Sequence, residues 1–142
     1  MHKTLLMLAA AMPMFAGGFW LQTGNPEASA EARALKAAVV VQAVGCHEPA
    51  KARVEGVAVG IVNGIRKTVP LKVTRLSGPG MFAVTRQWPS EGKWAIQLVG
   101  KNAGMVTSAV LVATPEGVDR KNTKFYQGLP PEEEVTTMLA RR

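Results

Sequence analysis

Between residues 52 and 100, four runs rich in Val, Ile, Leu and aromatic side chains are separated by Asn63-Gly64, Ser77-Gly78-Pro79-Gly80 and Pro89-Ser90-Glu91-Gly92. Each gap holds what tight turns require, glycine for a positive φ and proline for a fixed one, so the stretch predicts an antiparallel meander. With 142 residues, 47% of them hydrophobic, the chain has the size of one domain and the apolar content for a single core.

Taken in order, Ala37–Val44 predicts a strand buried on both faces, because its three consecutive valines suit the centre of a sheet. Gly45-Cys46-His47-Glu48-Pro49 ends it. Arg53–Val62 is the second predicted strand and residues 65–76 the third, where Ile65, Val69, Leu71 and Val73 alternate with Arg66, Thr68, Lys72 and Thr74. A two-residue turn at Asn63-Gly64 would place Val62 opposite Ile65 and put Val57, Val59 and Ile61 on one face with Pro70, Thr68 and Arg66. A three-residue turn with Gly64 left-handed in a bulge pairs Ile61 with Ile65 and Val57 with Val69, so the pattern predicts the bulged form. Pro70 lacks an amide donor and belongs at an edge or an irregularity.

Residues 81–88 and 93–100 predict a hairpin over residues 89–92 that brings Trp88 near Trp94, with Arg86 reaching to the rim. Met105–Thr114 is the last predicted strand of the body. Strands at this spacing give an all-β, small antiparallel sandwich of about six to seven strands. Residues 115–128 are polar and basic and read as a loop pinned by Phe125 and Tyr126. Pro130-Pro131 followed by Glu132, Glu133 and Glu134 starts a short C-terminal helix, with Arg141 and Arg142 complementing its far end. Val135, Met138 and Leu139 share one face, and a helix this short needs a surface, so it is expected to dock on its own sandwich.

The first thirty residues read as a secretory signal helix and its cleavage region. Met1-His2-Lys3 is basic, residues 4–20 are apolar, and Ala28-Ser29-Ala30 has the small-x-small form that signal peptidase accepts. Cleavage there makes Glu31 the mature N-terminus. An uncleaved anchor is the alternative, since about 17 apolar residues is the lower limit of a membrane span. The expected domains are a signal at 1–30, a β-sandwich at 31–114, and a basic loop with a short helix at 115–142. Removing the signal takes away Lys3 and Glu27, one charge of each sign, so the net charge stays at +7. A basic exported domain is drawn to anionic lipid headgroups, wall polymers or polysaccharide, and export argues against nucleic acid.

Cys46 is the only cysteine, which rules out an intramolecular disulfide. Once the signal is removed His47 is the only histidine, and Glu55, Glu91, Glu116 and Asp119 are scattered, so the residues suggest no enzyme. Cys46, His47 and Glu48 form the one cluster with ligand types. A thiolate beside an imidazole can bind copper or zinc, with Met81 or Met105 as a thioether, and the bland alternative is a small buried thiol next to a loop imidazole.

Residues 80–100 join a glycine-aromatic strand, Gly80 and Phe82, to a Pro-x-x-Gly turn at Pro89 and Gly92 and a following Trp94. On these residues the segment resembles the closing hairpin of small bacterial exported immunoglobulin-like domains, among them the YtkA-like group. The resemblance implies an immunoglobulin-like sandwich and a loose association with metal handling or envelope complexes, and it supplies no ligand residues. The expectation is a non-enzymatic, exported accessory module, periplasmic or extracellular, without a cofactor. Its partner would be a protein or an anionic envelope component, with membrane contact only through an uncleaved signal. The alternative is a periplasmic copper or zinc carrier using Cys46 and His47.

Overall fold

The computed structural model describes residues 18–140. Along them run β1 (Trp20–Gly24), α1 (Ala30–Ala34), β2 (Ala37–Val44), β3 (Arg53–Val62), β4 (Ile65–Pro70), β5 (Val73–Arg75), β6 (Met81–Thr85), β7 (Lys93–Asn102), β8 (Met105–Thr114), β9 (Gly117–Gln127) and α2 (Glu132–Ala140). The strands form a four-stranded sheet, β1-β2-β6-β5, and a five-stranded sheet, β4-β3-β7-β8-β9, with every neighbouring pair antiparallel. The sheets face each other across a core that joins Leu21, Val39, Val41, Phe82 and Val84 to Ala58, Trp94, Ile96, Leu98 and Leu111. The protein is therefore an all-β sandwich, with nine strands among the described residues where about six to seven are expected from turn spacing.

Asn63 (φ 51°) and Gly64 (φ 77°) are both left-handed, as a two-residue hairpin turn requires, and Val62 pairs directly with Ile65. The bulged turn is thus wrong. Val57, Val59 and Ile61 do lie opposite Pro70, Thr68 and Arg66, and this is tolerated because that face of β3 looks away from the core. Its core face carries Val54, Ala58 and Gly60 instead. Small residues are needed there, since a Cβ on Gly60 would meet the Trp94 ring at 2.4 Å.

Helices cover both outer faces. Val135, Met138 and Leu139 of α2 are buried on Val59, Ala95 and Val110, with Val57, Val112 and Tyr126 beside them, as the docking expectation holds. Glu132, in the first turn of α2, is paired with Arg66 of β4. On the other side Ala32 of α1 is buried against Val40, Leu76 and Ala83, with the Ser29 hydroxyl accepting from the Ala32 amide at 3.2 Å.

Three further expectations change. Residues 65–76 are two strands, because the chain leaves the five-stranded sheet after Pro70 and joins the four-stranded sheet at Val73. Likewise 81–88 and 93–100 form no hairpin, since β6 and β7 belong to different sheets. Trp88 and Trp94 are still both buried in the shared core, and the Arg86 guanidinium lies 5.7 Å from the Trp88 ring centroid while remaining exposed. Residues 117–127 are a strand despite their polarity, because pairing with β8 satisfies the backbone while an edge position lets the side chains meet water. Four of its residues, Arg120 to Thr123, bulge opposite Leu111 alone.

Most of the expected signal segment, residues 1–17, and the Arg141-Arg142 pair fall outside the described residues. Trp20–Gly24 forms β1, whose Leu21 is 2% exposed, and Phe19 just ahead of it is 1% exposed. A Cβ on Gly100 would lie 2.8 Å from Leu21 and 3.1 Å from Phe19, so the opposing sheet is shaped to receive both. A chain beginning at Glu31 lacks this strand and both side chains.

Candidate functional site

Strand endings gather several polar and sulfur-bearing residues at one end of the sandwich. β2 stops at Gly45, where φ is 73° and a Cβ would sit 1.9 Å from the Gly18 carbonyl oxygen, so only glycine fits. Cys46 and His47 follow in the loop that this turn creates. At the same end β7 and β8 are joined by Ala103 (φ 49°) and Gly104 (φ 79°), and Asn102 pairs with Met105. The Asn102 amide donates to the Glu48 carbonyl at 3.3 Å, clamping this turn to the loop after β2. The Gln127 amide donates to the Phe19 carbonyl at 3.1 Å and draws in the end of β9.

Gly45, Cys46, His47, Asn102, Ala103 and Met105 line one groove of about 390 Å³. Cys46 is half-buried and packs toward Phe19, Ala43 and Ala52, whereas His47 is exposed. Met105 is 40% exposed, so its thioether is not committed to the core. The structure therefore brings the expected pair, Cys46 and His47, together with one of the two candidate thioethers. Met81 is elsewhere, half-buried by the groove that Gln22, Thr23, Val40 and Gln42 line on the four-stranded sheet. Among the described residues no three His, Cys, Asp or Glu side chains converge.

A second groove, of about 310 Å³, adjoins the first through Asn102, Ala103 and Met105 and is lined by Lys51, Arg53 and Lys101. Lys51 lies 3.0 Å from Glu48, and Lys101 lies 3.7 Å from Glu55. Arg53 has no ion-pair or hydrogen-bond partner among the described residues. Other basic side chains are dispersed: Arg66 and Lys93 flank Ile61 on the five-stranded sheet, and Lys72 lies in the crossover between sheets. Alternation along single strands does not reveal the Lys51, Arg53 and Lys101 grouping, because Arg53 and Lys101 meet only through the β3–β7 register.

Tyr126 of β9 lies against the helix α2. Burial under α2 raises its pKa above the ordinary 10.0, the Glu134 carboxylate adds to the rise, and its hydroxyl has no hydrogen-bond partner among the described residues.

No protein-family model, curated protein or solved structure matches the chain. The class rests on the fold alone: an antiparallel sandwich faced by a helix on each side, with its chemically varied residues at one end.

Proposed function

We propose that the protein is an exported, non-enzymatic binding module of the cell envelope, an immunoglobulin-like sandwich that recognises an anionic envelope component through its Cys46 end. One observation carries the reading: Lys51, Arg53 and Lys101 line a single open groove there, and Arg53 has no counter-charge among the described residues. An unpaired guanidinium beside two ammonium groups suits phosphate or carboxylate, which it can engage with two parallel hydrogen bonds. The immunoglobulin-like assignment draws support from two facing antiparallel sheets around a buried Trp94, and export draws support from the basic and apolar run at the chain's start.

Cosedimentation of the chain with phosphatidylglycerol vesicles, set beside phosphatidylcholine vesicles, tests this. Binding is expected to be confined to the anionic vesicles and to fall steeply with salt. The paired change Arg53→Glu and Lys101→Glu is expected to weaken it about tenfold or more. Equal binding to both lipids, or indifference to salt, refutes the proposal.

A second reading, a soft-metal carrier, is favoured specifically by Met105 lining the groove of Cys46 and His47. A thiolate, an imidazole and a thioether select Cu(I) over harder ions. Titration with Cu(I) and Zn(II) is expected to show tighter Cu(I) binding, lost in Cys46→Ala and weakened in Met105→Leu. Equal, weak binding by all three proteins excludes the carrier.

A further inference from the structure

We infer that export ends with cleavage between Gly18 and Phe19, which makes β1 the N-terminal strand of the mature protein. The inference rests on the export reading and adds the bond at which the leader is removed.

Two independent observations converge on that bond. The first is packing. Every residue of β1 pairs with β2, from Trp20 opposite Val44 to Gly24 opposite Val40. Phe19 and Leu21 are 1% and 2% exposed, and both fill the space that Gly100 leaves open on the facing sheet. The Gln127 side chain, 108 positions along the chain, donates to the Phe19 carbonyl at 3.1 Å. A cut after Ala30 discards all of these contacts. It also falls inside the first turn of α1, which Ser29 caps and whose Ala32 is fully buried.

The second observation is the pattern of the leader. Residues 4–15 form an apolar run directly followed by Ala16-Gly17-Gly18, small at the third and first positions before Phe19. Signal peptidase reads such a triplet when it closes a hydrophobic run of about 7–15 residues. Ala28-Ser29-Ala30 has the same form but stands beyond Gln22, Asn25 and Glu27, away from the apolar run. Packing excludes the later triplet, and distance from the run disfavours it as well.

The step is hydrolysis of one amide by a signal peptidase. The Gly18 C–N bond breaks, water supplies the oxygen of the new Gly18 carboxylate, and the electron pair of the broken bond stays on nitrogen, which becomes the protonated amine of Phe19. It takes place on the extended chain during export, before Phe19 is enclosed.

Expression of the full chain in a bacterial host, followed by intact mass and N-terminal sequencing of the exported product, decides the matter. The expected first residue is Phe19. A product starting at Glu31, or at any residue ahead of Gly18, overturns the assignment while leaving export standing. A chain that remains unprocessed in the cytoplasm overturns both. Gly18→Leu and Ala16→Leu are each expected to cut the processed fraction at least tenfold, and Ala30→Leu to leave it unchanged. The opposite pattern refutes the assignment.

Discussion

The two sheets are assembled by different physics. In the five-stranded sheet three of the four neighbouring pairs, β3–β4, β7–β8 and β8–β9, are consecutive in the chain, and two of them close through left-handed two-residue turns. In the four-stranded sheet β1 and β2 are joined through α1, β2 and β6 are separated by β3, β4 and β5, and only β5–β6 closes over a short loop. Local pairs lose little chain entropy on closing, whereas distant ones must wait for the rest of the chain to gather. The β3–β4 hairpin and the β7–β8–β9 meander can therefore form from short-range signals, whereas the β3–β7 and β2–β6 seams close only when distant stretches of chain meet.

That contrast can be broken most forcefully at β1. Leu21→Ala is expected to cost about 2–5 kcal/mol by urea denaturation. The loss should appear in hydrogen exchange of both sheets, because Leu21 also abuts Gly100 of β7. Protection lost from the four-stranded sheet alone would show two independent units. Met138→Ala, on the buried face of α2, is expected to cost about 2 kcal/mol and to expose amides of β3, β7 and β8 first. Gly60→Ala adds a carbon 2.4 Å from the Trp94 ring and is expected to cost on the order of 1 to 2 kcal/mol. Asn63→Ala removes the residue best suited to φ 51° and should cost about 1 kcal/mol, visible as faster exchange confined to β3 and β4.

The smallest effect sharpens the comparison by pH. Because Tyr126 titrates above its ordinary 10.0 in the folded chain, the native state holds that proton more tightly than the unfolded one. Stability present below about pH 10 is then lost as the pH rises through the folded value. Tyr126→Phe should flatten this alkaline decline, and an unchanged decline would remove Tyr126 as its cause.

Legibility in the sequence follows the same division. Ala37–Val44, Arg53–Val62 and Met105–Thr114 are read correctly to the residue, because Gly, Pro and Asn mark their ends. The turn at Asn63-Gly64 is located but misassigned. Alternation along residues 53–76 does not show that α2 covers the far side of β3, or that the core side of β3 is small and so admits Trp94. The exchange of sheets at residues 71–72 is marked only by Pro70, which signals an edge or an irregularity without saying that the chain changes sheets, so 65–76 looks like one strand. Polar β9 resembles a loop because an edge strand needs few apolar residues. At the candidate site the adjacent pair Cys46 and His47 is visible by type alone. Choosing Met105 over Met81, and grouping Lys51 with Arg53 and Lys101, requires the β3–β7 and β7–β8 registers.

The crossing after Pro70 also bears on how these molecules treat one another. Since β4 borders one sheet and β5 the other, a single bend hems that flank of the sandwich with continuous chain. Pro70 withholds an amide from the rim, and Lys67 places charge along it. A neighbouring copy seeking to extend either ladder there meets repulsion and a missing donor, so the hem works against strand-by-strand polymerisation in a crowded compartment.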